Sequence, residues 1–301
     1  MSIDSICFSK LHIFFRHVGQ SFSLFGIDVA YYGVVIACGM VIAGAFVLYD
    51  ANRKGQVYDD YLDVLIWGLI VGIFGARAYY VIFSWEEYRG HLLDILNFRQ
   101  GGLAIYGGIL GGIIGAIIVC RYKKMHFFDV ADSVCMGLLI GQLFGRWGNF
   151  FNREAFGGYY DGLLSMQIPV DAVRDLSDVT PEMMDHLVEM DGISFISVHP
   201  TFLYESLWNL GVFLILFFLR RDKKFDGQIW FMYLALYGVG RIWVESLRTD
   251  QLKIPGTFIP VSMALSMVLI LISAVYLIIH YVMYKKGTAV KYANGRKENA
   301  K

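Results

Sequence analysis

The stretch FIPVSMALSMVLILISAVYLIIHYVM (258–283) runs for 26 residues without a single Lys, Arg, Asp or Glu. The hydrocarbon core of a bilayer is about 30 Å thick, which an α-helix crosses in about 20 residues. This stretch is therefore long enough to span, and six others like it precede it, at 28–49, 61–83, 103–120, 129–149, 202–219 and 228–247. All five prolines fall in connections or at the first turn of a span. Hydrophobic residues make up 56% of the chain and charged ones 17%, where a soluble domain carries about a quarter charged. The reading is an all-α polytopic membrane protein with seven transmembrane helices.

Charge sets the expected orientation. Arg53 and Lys54, then Arg121, Lys123 and Lys124, then Arg220, Arg221, Lys223 and Lys224 mark alternate connections, and the tail adds Lys285, Lys286, Lys291, Arg296, Lys297 and Lys301. The intervening loops are poor in Lys and Arg, so the positive-inside bias puts the N-terminus outside and the tail in the cytoplasm. The organisation that follows is an N-terminal interfacial segment (1–27), helices one to four (28–149), an acid-rich extracytoplasmic head (150–201), helices five to seven (202–283) and a basic cytoplasmic tail (284–301). Ile3, Cys7, Leu11, Phe14 and Val18 fall at helical spacing, which suits a helix lying flat on the membrane as well as it suits a loose terminus. No cleavable signal peptide is visible there. The net charge of zero gives no hint of nucleic acid, and Cys7, Cys38, Cys120 and Cys135 show neither CxxC nor metal spacing. No metal or cofactor is expected.

Ionisable groups are costly inside a bilayer and are functional candidates by default. With the orientation above, Arg77, Arg146 and Asn149, Tyr237, Arg241, Glu245 and Arg248, Tyr31 and Tyr32, Tyr106, His199, Tyr204 and Glu205 all fall toward the outer ends of their spans. Asp63, Asp129 and Asp132 fall near inner ends, where water is expected to reach them. Gly107, Gly111 and Gly115 and the set Gly137, Gly141 and Gly145 form small-xxx-small stripes. The expectation is that spans three and four pack along them and hold Tyr106 near Arg146. Either arginine alone is explained equally well by snorkelling or by pairing, Arg241 with Glu245 for example. Two arginines at one depth, with Asn, Tyr and His beside them, suit a phosphate better. No GxSxG, HExxH or Walker glycine loop is present, so the residues alone indicate an anion or phospholipid site at the outer leaflet.

The stretches GGLAIYGGILGG (101–112), GRWGNFFNREAFGG (145–158), HPTFLYE (199–205) and YGVGRIWVESLR (237–248), with YYG (31–33), closely resemble the prolipoprotein diacylglyceryl transferase family. The resemblance implies transfer of a diacylglyceryl group from phosphatidylglycerol to the lipobox cysteine of a preprolipoprotein, in the bacterial cytoplasmic membrane, with the site opening outward. It implies that Arg146 binds the phosphate, with Gly145, Asn149, Glu154 and Gly157 shaping the site, and that Tyr32, Tyr237 and Arg241 have essential or important roles. His199, Glu245 and Arg248 are expected to support them. Many relatives carry His where this chain has Tyr106, and commonly Gln where it has Phe202. A phenol near pKa 10 is mostly protonated at neutral pH, so Tyr106 is read as orienting the substrate, with Glu154 or Glu245 as other proton acceptors. A transporter of an anionic solute and a non-catalytic lipid-binding subunit are the alternatives. Repeated halves would mark the first, and none is visible.

Overall fold

The computed structural model describes residues 2–98 and 101–288; Arg99 and most of the basic tail (289–301) lie outside the described residues. Two short strands, β1 (Ile6–Phe8) and β2 (Ile13–Phe15), and a hairpin, β3 (Ser21–Leu24) and β4 (Ile27–Ala30), precede α1 (Tyr31–Arg53) and α2 (Tyr58–Phe83). The one-turn helix α3 (Trp85–Tyr88) is followed by α4 (Ile105–Tyr122) and α5 (Phe127–Asn152). Strand β5 (Met166–Pro169), the short α6 (Pro181–Asp185), β6 (Val188–Met190) and β7 (Ile193–Val198) then lead to α7 (Thr201–Leu219), α8 (Gln228–Leu247) and α9 (Val261–Lys285). On length and composition, six of these helices can cross a membrane: α1, α2, α4, α5, α7 and α9. The 20-residue α8 is less apolar because it carries Arg241 and Glu245.

The glycine stripes work differently from the expectation. A Cβ on Gly111 would stand 2.4 Å from the Val71 carbonyl oxygen, and one on Gly107 would stand 2.4 Å from that of Gly75. The stripe of α4 therefore presses on α2, not on α5. On α5, a Cβ at Gly137 would meet Val47 of α1 at 2.7 Å. The α4 stripe and Gly137 of α5 each bring two backbones together, as small residues do in membranes, but a Cβ on Gly141 or Gly145 would meet nothing within 4 Å. Spans three and four do not pack along their stripes, so Tyr106 is not carried to Arg146 by this packing. Arg77 of α2, 3% exposed, spends its guanidinium on backbone carbonyls of Asp94, Ile95, Gly101 and Gly102, tying the α3–α4 connection to the bundle.

The N-terminal segment forms strands, not the helix that its spacing allows. Strands β2, β1, β5, β7 and β6 make one antiparallel sheet in that order, with Cys7 opposite Gln167 and Gln167 opposite Ser197. Ile6, Cys7 and Phe8 are all buried, so β1 is covered on both faces. A strand of three residues shows no alternation that could outvote an accidental helical period. The head thus joins the N-terminus to the 150–201 segment. Its core of Ile6, Phe8, Ile168, Met183, Ile196 and Val198 continues into Phe150 of α5 and Phe202 of α7, which seats it on the ends of both helices.

Asp129 and Asp132, expected in water, are 2% and 1% exposed. The Lys223 ammonium bonds Asp129, Asp132 (3.1 Å) and Asp226 (3.0 Å), filling a carboxylate trio whose spacing would suit a cation. Asp132 also caps the start of α8, accepting from the Gly227 (2.9 Å) and Trp230 (2.8 Å) amides. Beside it, buried Asp50 pairs with Arg220 and with Lys54 (2.8 Å). This network locks α1, α5 and the α7–α8 turn at the end of the bundle away from the head. Breaking a buried ion pair by removing one partner typically costs about 3–5 kcal/mol. Lys223→Met is therefore expected to lower the melting temperature sharply in detergent, measured by intrinsic fluorescence, whereas an unchanged melting curve would contradict the assignment.

Candidate functional site

Three helices bring the site together. Arg146 and Asn149 lie one turn apart near the head end of α5. Glu205 is one turn into α7. Tyr237, Arg241 and Glu245 stand at four-residue intervals along α8, so they share one face. Buried Glu205, 2% exposed, sits where these faces meet. Its Oε1 lies 2.7 Å from Arg146 Nη2, and its Oε2 accepts from Arg241 Nη1 at 3.2 Å. Arg241 pairs through its other nitrogen with Glu245. The Tyr237 ring, stacked on Tyr233, has the Arg146 guanidinium and the Glu205 carboxylate beside its hydroxyl. Two guanidiniums from different helices thus meet across a single carboxylate. Arg146 and Glu205 also line a small cavity with Asn149, Thr201, Phe202 and Arg248.

A polar chain runs outward from Arg146. Its Nη1 donates to Asn149 Oδ1 (3.3 Å), Asn149 Nδ2 donates to Glu154 Oε1 (2.9 Å), and Arg174 of the head donates to Glu154 Oε2 (2.7 Å). Asn152 adds a second donor to Glu154 Oε1 at 3.1 Å. Arg153 and Ala155 take left-handed conformations, at φ 52° and 57°, which fold the chain sharply back after α5. Arg153 does not join the site. It is buried and holds the backbone carbonyls of Asp4 (3.1 Å) and Val18, fastening the N-terminal strands to the end of α5.

The loop after Ala155 threads between α7 and α8. The Gly157 amide donates to the His199 carbonyl (3.0 Å), and the Gly158 amide donates to that of Leu247 (2.9 Å). A Cβ on Gly157 would lie 2.7 Å from His199 Cβ and 2.8 Å from the Leu247 oxygen, so only glycine passes here. Gly145 is different: a Cβ there meets nothing within 4 Å. The close approach falls instead at Gly148, where a Cβ would stand 2.6 Å from the Tyr32 ring. His199 stacks on Tyr160 (4.0 Å between ring centroids), and its Nδ1 lies 3.3 Å from the Tyr204 hydroxyl. Arg248 grips Asp250 with both Nε (2.8 Å) and Nη2 (2.5 Å). Burial acts to raise the Asp250 carboxyl, but the hydrogen bonds from Arg248 prevail and hold it below the usual carboxylate range.

Of the residues singled out from sequence, the structure brings Arg146, Arg241, Asn149, Glu154, Tyr237 and Glu245 into one linked set. Tyr32 packs on Gly148 of α5, three residues beyond Gly145 and two beyond Arg146, and Gly157, His199 and Arg248 hold the loop that closes one side. Tyr106 opens α4, and among the described residues the polar partners of Arg146 are Asn149, Glu205 and Tyr237. Phe202 is buried against Phe150 (5.0 Å) and Trp147 (5.3 Å), a purely aromatic contact. Sequence reasoning placed Glu205 at the right depth without giving it a role. A buried acid one turn into an apolar span was the available signal. Arg174, in the acid-rich 150–201 segment, gave none.

Fold and site together define a helical membrane protein with a paired-arginine centre beside a head built on a five-stranded sheet. The profile described as "Prolipoprotein diacylglyceryl transferase" matches residues 20–279. The phosphatidylglycerol--prolipoprotein diacylglyceryl transferase of Clostridioides difficile (strain 630) is 41% identical over 234 residues, 78% of this chain and 84% of that protein. The protein of the same name from Staphylococcus epidermidis (strain ATCC 12228) is 39% identical over 275 residues, 91% of this chain and 92% of its own length. The chain belongs to the prolipoprotein diacylglyceryl transferase family.

Burial lowers the His199 imidazole below its ordinary value. The unfolded chain then binds the extra proton first, so this group's contribution to stability is complete above its unfolded pKa of about 6.5 and is lost as pH falls below that. Melting temperature followed from pH 7.5 to 5.5 is expected to decline on the acid side in the wild type and to decline less in His199→Gln; parallel curves would count against a half-buried, neutral His199.

Proposed function

We propose that the protein transfers the diacylglyceryl group of phosphatidylglycerol to the lipobox cysteine of preprolipoproteins, the two substrates after which its relatives are named. In this reading all seven long helices cross the bacterial cytoplasmic membrane, α8 included, with the N-terminus and the head outside and the tail in the cytoplasm. The charge alternation of the loops supports that orientation, and the charges within α8 are compensated inside the bundle. The centre between Arg146 and Arg241 then lies near the outer leaflet.

One observation carries the assignment: Arg146 and Arg241 converge on a single point, where Glu205 joins them at 2.7 and 3.2 Å. Guanidinium is always charged and offers a planar donor fork that fits a phosphate. Phosphatidylglycerol enters sideways between helices and places its phosphate between the two arginines. The substrate's cysteine, as thiolate, attacks the glyceryl carbon that carries the phosphate. A C–S bond forms, the C–O bond breaks, and glycerol phosphate leaves. The thiol proton passes to solvent, and glycerol phosphate departs mostly as its dianion, its second pKa being near 6. The charge gathering on the leaving oxygen is met by donors already in place, the usual source of electrostatic catalysis.

The other residues position. Both Glu154 oxygens are engaged by donors from Asn149, Asn152 and Arg174, so Glu154 fixes Asn149 against Arg146. Tyr237 steadies the Arg146 guanidinium, Glu245 holds Arg241, and Tyr32 seats the start of α1 on α5. Tyr106 orients the incoming substrate. His199 and Arg248 keep the Gly157 loop closed.

The test is transfer of label from phosphatidylglycerol to a lipobox peptide by the purified protein. Losing one preorganised donor typically costs about 10²–10³-fold in rate, so Arg146→Ala and Arg241→Ala are each expected to lose at least that much. Arg146→Lys, which keeps the charge and loses the fork, should stay well below wild type. Full activity in Arg146→Ala would reject the clamp.

A further inference from the structure

The clamp has an occupant of its own. Glu205 reaches both arginines, is 2% exposed, and accepts an aligned hydrogen bond from Arg241, whereas its Oε1 faces Arg146 at ion-pair distance without hydrogen-bond alignment. A carboxylate and a phosphate offer a guanidinium fork the same kind of planar oxygen pair. Without Glu205 the partly buried Arg146 would have no carboxylate partner among the described residues, and an unpaired guanidinium there would be costly, so an anion is needed when no lipid is bound. Glu245 satisfies Arg241 alone and does not bridge. This argument rests on the phosphatidylglycerol reading above.

We infer that Glu205 is a resident stand-in for the phosphate: it organises the two arginines in the empty enzyme, yields to the lipid phosphate, and returns to expel glycerol phosphate. The charges explain why such a device is required. The lipid phosphate is a diester with a single negative charge. The product is a monoester carrying about −1.5 to −2 at pH 7. A bare pair of arginines would hold the product more tightly than the substrate and stall each turnover. A carboxylate that competes for the same donors weakens the grip on both and speeds release of the more highly charged product. Glu205 is in this sense a positioning residue for Arg146 and Arg241, with a competing role that an ordinary scaffold residue lacks.

The experiment is calorimetric titration of glycerol phosphate into the full-length protein in detergent, for wild type, Glu205→Gln and Glu205→Asp. Glu205→Gln is nearly isosteric and removes the competing charge. It is expected to bind glycerol phosphate on the order of tenfold more tightly than wild type, with a lower kcat and no rise in KM for phosphatidylglycerol. Glu205→Asp keeps the charge and is expected to stay close to wild type. Equal or weaker binding of glycerol phosphate by Glu205→Gln overturns the inference, because a pure scaffold role predicts that loss. If Glu205→Gln does not fold, the wild-type infrared difference spectrum decides. Adding glycerol phosphate should shift a buried carboxylate band, and an unchanged carboxylate region overturns the inference. Failure of the transferase reading itself would look different: wild-type protein would release no glycerol phosphate from phosphatidylglycerol in the presence of a lipobox peptide.

Discussion

The ion-pair bridge Arg146–Glu205–Arg241 is the contact on which the rest of the structure depends. Each partner comes from a different helix, α5, α7 or α8, and each would be unaffordable alone in an apolar bundle. With Glu245, which pairs with Arg241, their charges sum to zero, and their mutual satisfaction fixes how the three helices stand to one another. The cost of a charged α8 is thereby turned into a requirement for one arrangement. The head reinforces it from above, since Glu154 and Arg174 reach down through Asn149 to the same Arg146. A second buried network, centred on Lys223 and Asp50, holds the far end of the bundle. On the helical rise, Asp132 and Arg146 are about 20 Å apart along α5, so the two networks brace the helix near its ends.

Between the networks the packing is built from small residues and rings. The α2–α4 pair closes through glycine backbones, and the α1–α5 pair closes around Gly137 and Gly148. Tyr32 on Gly148 shows how packing and chemistry meet. The ring occupies the space that a side chain would fill, which places the start of α1 beside the arginine site. His199 and Gly157 do similar work in the loop. Neither needs to touch a substrate to matter, because each holds the chain that closes the site.

Much of this was legible in the sequence, and for definable reasons. Long apolar runs specify membrane helices with little ambiguity, and every long helix starts and ends within a few residues of the run that announces it. Arg146 and Arg241 stood out because charge inside an apolar run is expensive. The failures were those of partner choice and of short elements. The glycine stripe of α4 states that some backbone comes close, but nothing in it says that the backbone belongs to α2. Asp129 and Asp132 looked solvated because their partner, Lys223, lies more than 90 residues away in a different connection. The strands at Ile6–Phe8 and Ile13–Phe15 are too short for a period; they pair with each other, and the second partner of Ile6–Phe8 comes from beyond residue 165. Gly145 drew attention as part of a motif, while the steric demand sits three residues later at Gly148.

The central claim is that two guanidiniums jointly hold one lipid phosphate. Its most direct test is a structure of the protein in lipid nanodiscs containing phosphatidylglycerol, with the phosphate located relative to both arginines. The account predicts phosphate oxygens within about 2.7–2.9 Å of nitrogens on Arg146 and on Arg241 alike. A bound phosphate that contacts neither arginine, or just one, while the other stays paired with Glu205, would contradict it.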